Sequence, residues 1–285
     1  MPPSLKLPEV VTDLTASRVG DEVRLGWTTS AKTTDGLLIQ GTTTAEICRD
    51  TVVAAGVAKA AAPGGKGRRR TGRLAVAGRG CSAVMRLVVK PGESEAVDRL
   101  PAGLLMGGPQ LLAYRVVLRN SLGKTAGPSG MAYAASGAAP GRVEELRGTA
   151  TKGGVVLEWK PSAAGTGAEG GESIVLDRTT VAVAGSGEVA AAVGHKGLLG
   201  AEPKQPTEMR LRVSDPAKGG AVDRTATVGT TYRYMAQRVR SVSLGGKTLE
   251  MRSEPSATVE VSVRDVFPPN APEGLMAAPG YVEAV

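Results

Sequence analysis

The chain has 285 residues and a formal net charge of +8, with 41% hydrophobic and 22% charged residues, a length that exceeds one ordinary domain and implies two cores. Two cysteines and one histidine exclude a disulfide scaffold and a conventional zinc site, and no run of about 18 apolar residues is present to form a spanning helix. With 39 glycines and 18 prolines, many short elements joined by turns are expected, which favours an all-β chain.

The opening Met1-Pro2-Pro3-Ser4 lacks the charged and apolar regions of a signal peptide. Val10-Val11-Thr12-Asp13-Leu14 then leads into Val23-Arg24-Leu25-Gly26-Trp27, where Val23, Leu25 and Trp27 fall on one face and Arg24 and Gly26 on the other. That period of two predicts a half-buried strand. The pattern returns as Val143-Glu144-Glu145-Leu146 leading to Val155-Val156-Leu157-Glu158-Trp159, so the sequence reads twice. With aromatics at only 3%, each tryptophan should anchor one core; burying an indole of about 200 Å² is worth up to about 5 kcal/mol.

Cys48 follows, and it corresponds to Asp177 in the second copy, which suggests a position that tolerates exposure; a disulfide to Cys81 is the alternative. The alanine-rich stretches from Val52 to Ala62 and from Val181 to Val193 compete as helices on propensity, but Gly56, Gly185 and Gly187 interrupt them and no apolar stripe is sustained, so irregular strands and loops are expected. Between them Lys66-Gly67-Arg68-Arg69-Arg70, with Arg73 and Arg79, concentrates positive charge. Its bland reading is a solvated loop; its functional reading is an anionic-ligand patch. No interleaved aromatics offer stacking platforms, so specific nucleic-acid binding is not expected.

Arg86-Leu87-Val88-Val89 with Ala96-Val97-Asp98-Arg99 returns as Arg210-Leu211-Arg212-Val213 with Ala221-Val222-Asp223-Arg224. Glu93, Glu95 and Asp98 form the densest acidic cluster and read as a solvated turn. Tyr114 begins an alternating run ending at Gly123-Lys124-Thr125, matched by Tyr232 to Gly246-Lys247-Thr248, and Pro128-Ser129 and Pro255-Ser256 follow. Neither glycine-lysine-threonine has the earlier glycine of a phosphate loop; Leu118 and Ser241 stand there, and hairpin turns are expected instead. Counting by twos from Tyr232 places Arg238 inward, so the strand is expected to have reached the rim there or to turn the arginine outward through a bulge near Gln237. His195 lies in a glycine-flanked loop without a nucleophile signature, so no catalytic residue, cofactor or metal ligand is expected.

The proline-led first strand, the Val-x-Leu-x-Trp second strand and the run Tyr114, Val116, Leu118, Asn120, Gly123 resemble, in that order, the fibronectin type III superfamily. The resemblance implies two tandem antiparallel immunoglobulin-like β-sandwiches, over 5–137 and 138–266, with 267–285 a linker and the first segment of an incomplete third. It implies that Tyr114 in the first copy and Tyr232 or Tyr234 in the second bond their hydroxyls back to the chain. The proline-rich start and Phe267-Pro268-Pro269 are similar to bacterial multi-domain lipoproteins carrying such modules. That likeness implies a non-catalytic extracytoplasmic spacer or binding module at the cell envelope, with a protein or glycan partner and a lipid anchor only if a leader precedes this sequence. The alternative is an accessory polysaccharide-binding role, or anionic-surface binding through the loop 66–79.

Overall fold

A computed structural model of the chain describes residues 6–52, 82–161, 172–181, 208–213 and 219–264. The first half contributes β1 (Thr15–Val19), β2 (Glu22–Thr29), β3 (Thr43–Val52), β4 (Ala83–Val89), β5 (Gly92–Arg99), the short helix α1 (Ala102–Leu105), β6 (Leu111–Arg119) and β7 (Ala132–Ala135). Strands β1, β2 and β5 are neighbours in one sheet, and β4-β3-β6-β7 form the facing sheet. The second half repeats this arrangement. It contributes β8 (Arg147–Thr151), β9 (Gly154–Glu158), β10 (Glu172–Thr180), β11 (Glu208–Val213), β12 (Gly220–Asp223), β13 (Thr231–Leu244), β14 (Lys247–Arg252) and β15 (Val259–Ser262). Here β12-β9-β8 face β11-β10-β13, with both β14 and β15 paired to the far edge of β13. Three strands against four, with antiparallel pairing inside each half, make each half an immunoglobulin-like sandwich of the fibronectin type III kind.

The alternation read in the sequence sets the cores. Val23, Leu25 and Trp27 pack with Ile47, Leu112 and Tyr114 in one cluster. Val155, Leu157 and Trp159 pack with Ile174, Leu176, Tyr232 and Tyr234 in the other. Before each last strand a proline, which has no amide to donate, is followed by a serine whose hydroxyl serves the facing strand as an acceptor. Ser129 Oγ accepts the Val116 amide and Ser256 Oγ the Ala236 amide, both at 2.9 Å. Gly123-Lys124-Thr125 lies in the turn region after β6, and in the second copy Gly246 closes a turn while Lys247 and Thr248 open β14. Gly245 and Gly246 both have positive φ between the paired Leu244 and Lys247, the backbone of a type I′ hairpin. Asn120 Oδ1 accepts the amides of Leu122 and Lys124 across the corresponding turn of the first copy.

The copies differ most at this hairpin. Strand β6 ends five residues after Tyr114, whereas β13 continues ten residues past Tyr234. The longer hairpin reaches the first sandwich, where β14 pairs in parallel with β1 through Arg18↔Met251 and Val19↔Arg252. The Gly20 amide adds a bond to the Arg252 carbonyl at 2.9 Å. The sheet of the first half thus runs into that of the second as one eight-stranded sheet.

Candidate functional site

The polar residues that the fold buries form the same device twice. In the first sandwich Asp98 on β5 accepts, at Oδ2, hydrogen bonds from Arg49 Nη1 on β3 and the Tyr114 hydroxyl on β6, both at 2.7 Å. In the second, Asp223 Oδ2 accepts from Arg178 Nη1 at 2.8 Å and from the Tyr234 hydroxyl at 2.9 Å. Its Oδ1 takes the Thr225 amide at 2.9 Å and hydroxyl at 2.6 Å. Register makes the two equivalent: Arg49 pairs with Tyr114 and Arg178 with Tyr234, while Val23 pairs with Asp98 and Val155 with Asp223.

Each triad ties the three-stranded sheet to its partner through a desolvated carboxylate. Burial and the bond to the carboxylate push both tyrosine hydroxyls well above their ordinary range. Burial alone would raise the Asp223 pKa, but hydrogen bonds from Thr225, Arg178 and Tyr234 outweigh it and hold the group below its ordinary value. The Arg178 guanidinium also lies 4.6 Å from the centre of the Tyr232 ring. The carboxylates and tyrosine hydroxyls of both triads are buried, and the arrangement holds the sheets together.

Several expectations are corrected by this geometry. Asp98 is not part of a solvated turn; it is buried on a strand, because the repeated Ala-Val-Asp-Arg places its carboxylate inward beneath Tyr114. The Tyr114 hydroxyl bonds back to the side chain of Asp98, 16 residues upstream, and not to a backbone group. Tyr232 makes the corner bond, accepting the Thr227 amide at 3.1 Å, and in the first copy its position is filled by Leu112. Arg238 is neither turned outward by a bulge nor freed by the rim. The β10–β13 register is unbroken through Gln237, and Arg238 is buried with one bond, from Nη2 to the Lys160 carbonyl at 3.4 Å. Its Nε and Nη1 have no partner among the described residues.

Trp27 and Trp159 are both buried, but their indole nitrogens differ. Trp27 donates to Thr29 Oγ1 at 3.0 Å, whereas Pro161 stands at the matching place and Trp159 Nε1 has no partner among the described residues. Cys48 is buried and disulfide-bonded, contrary to an exposed position; Cys81 lies outside the described residues. The basic stretch Lys66, Arg68, Arg69, Arg70, Arg73 and Arg79, together with His195 and the segment 267–285, also lies outside them. Among the described residues no cluster of three or more His, Cys, Asp or Glu side chains could hold a metal ion, and no helix is long and apolar enough to cross a membrane.

What sequence reasoning missed is the contact between the halves. Around the β14–β1 pairing, Ala135, Val242 and Met251 form one small cluster, and Val52, Leu111 and Ala113 another, with Leu244 and Leu249 packed against both. Lys247 Nζ sits 4.3 Å from the centre of the Tyr133 ring. Arg18 is fully buried beside the seam and donates to the carbonyls of Glu22 and Gly137, both at 3.3 Å. The available signal was the greater length of the run from Tyr232 to its glycine turn.

These features define an all-β protein of two fibronectin type III-like sandwiches joined edge to edge. No family model matches the chain, and no curated protein matches it in sequence. Among solved structures, the FN1–FN3 domains of chicken CNTN1 are similar at 12% identity and a TM-score of 0.31. The match covers 91% of this chain and 66% of that one, so the chain spans just under two thirds of that structure's length. The fold assignment rests on strand order and register, not on this likeness.

Proposed function

We propose that the chain is a stiff, non-catalytic spacer and interaction module that works outside the cytoplasm. The observation that carries this reading is the seam. Two β-sandwiches linked by a flexible tether would report no fixed geometry, whereas here β14 continues the sheet into β1, apolar clusters close over the joint and Arg18 is buried beside it. Inter-domain contacts of this kind oppose the relative motion that is otherwise the default for tandem domains. The disulfide at Cys48 supports an oxidising compartment, since such bonds persist in secreted and periplasmic proteins and are rare in the cytosol. The enclosed triads offer no reactive group, which supports a binding role over catalysis.

The test is the rotational diffusion of the two halves in the full chain, measured by amide nitrogen relaxation. A single correlation time for both sandwiches is expected, and the variant Leu249→Asp, which places a charge against both small clusters, should separate them. Independent tumbling in the unaltered protein would overturn the spacer reading. Thiol counting on protein recovered from an oxidising compartment should find none free at Cys48; a free thiol there removes the support for an extracytoplasmic site.

A further inference from the structure

The seam also creates a cleft of ≈560 Å³ that neither sandwich could form alone, within the range of about 300–1,000 Å³ typical of small-molecule sites. Its walls carry the guanidinium groups of Arg24 from the first half and Arg210 and Arg252 from the second, against a single carboxylate, Glu250; Arg18 also lines it, but its guanidinium is enclosed on the face of β1 that carries the pairs with Val23 and Met251. Glu250 is already shared between Arg252, at 3.0 Å, and Arg212. Arg210 is bonded to Asp177 at 2.6 Å. Arg24 is exposed and has no carboxylate in contact among the described residues, whereas Arg18 is enclosed, donates to backbone carbonyls and has the charge of Asp21 nearby, so it adds nothing to the open cleft. The cleft therefore holds more guanidinium charge than its own carboxylates neutralise.

We propose that this cleft binds an acidic oligosaccharide, one carrying carboxylate or sulfate groups. Guanidinium groups match the planar oxygens of such anions with paired donors. The hydroxyls of Ser17 and Thr248 line the same cleft and suit ring hydroxyls, while Ala16, Met235 and Leu249 give an apolar surface for sugar carbons. A nucleic-acid strand is less well served, because the one aromatic lining residue, Tyr133, is already covered by Lys247. The site rests on the docking of β14 against β1 described above, and a ligand that touches both halves stabilises that docking by linkage.

The experiment is titration calorimetry on the full chain at low and at moderate salt, with a sulfated disaccharide, a uronate oligomer, a neutral disaccharide and inorganic sulfate as separate probes. Saturable one-to-one binding of a charged saccharide is expected, weakening with salt, with no binding of the neutral sugar. Arg24→Ser should weaken it about tenfold, the loss of one charge-assisted contact. A chain with Lys66, Arg68, Arg69 and Arg70 all changed to serine should bind unchanged. No saturable binding of either charged saccharide, an affinity within twofold after Arg24→Ser, loss of binding in the serine chain, or inorganic sulfate binding as tightly as the saccharides would each overturn the proposal. Arg24 lies on β2 and makes none of the β14–β1 pairs, so nitrogen relaxation of the Arg24→Ser protein shows whether the seam persists and separates failure of the site from failure of the spacer reading.

Discussion

Asp223→Ala removes one side chain and strands two others. The carboxylate accepts four hydrogen bonds, two from Thr225 and one each from Arg178 and Tyr234. The Arg178 and Asp223 side chains are 1% and 0% exposed, so water cannot replace what is lost. An arginine left buried without its partner costs about 3–5 kcal/mol, against a total stability of about 5–15 kcal/mol for a domain. The second sandwich should thus lose about a fifth or more of its stability. Trp159 is the only tryptophan of that core, so urea unfolding followed by its fluorescence in a Trp27→Phe background isolates the effect. The matching change Asp98→Ala should cost less, about 2–3 kcal/mol, because the Arg49 side chain is 16% exposed and can recover hydration. In an Arg178→Met background the Asp223→Ala loss should fall to about 2 kcal/mol or below, since no cation is stranded. A loss under about 1 kcal/mol in the otherwise unaltered chain would refute the triad as the tie between sheets.

Other outcomes follow from single positions. Arg238→Leu places in β13 the residue that Leu118 provides at the matching site of β6, and removes two buried donor atoms without partners; the urea midpoint should rise by about 1–3 kcal/mol of stability, and a fall would contradict the buried, one-bond arginine. Gly154→Ala should cost about 2–4 kcal/mol by the same assay, because φ is +122° there and a Cβ would lie 2.2 Å from the Asp223 carbonyl oxygen. Asp223 has a folded pKa below its ordinary 3.8, so its contribution is fully present above the unfolded pKa and fades as pH falls through about 4 toward the folded value. Unfolding midpoints of the second sandwich should therefore drop below about pH 4, and Asp223→Ala should flatten that drop; an equal slope in both proteins would assign acid sensitivity to other carboxylates.

The duplicated triad gives meaning to the division of labour in each core. The tryptophan and the aliphatic residues of β2 and β9 provide area, which is non-directional. The Arg–Asp–Tyr bonds fix how one sheet lies over the other. Where the second copy departs from the first, at Arg238 and at Pro161, donors without acceptors accumulate, and the second core is the one expected to gain from substitution.

Sequence alone determined the strands whose two faces differ. Val23, Leu25 and Trp27, and their counterparts Val155, Leu157 and Trp159, announce period-two burial because a strand facing a core must alternate. The repeat in the sequence likewise implied two such cores, and glycine at 123 and 246 marked the turns. Tertiary structure alone decided what depends on residues far apart in the chain. Asp98 reads as one of three nearby acids until the facing sheet brings Arg49 and Tyr114 onto it. Which tyrosine makes the corner bond depends on the position of Thr227, not on the tyrosine. The seam was hidden for the same reason: five extra residues in a hairpin look like a longer strand, and only in space does their open edge meet that of β1, where unpaired amides and carbonyls favour pairing over exposure.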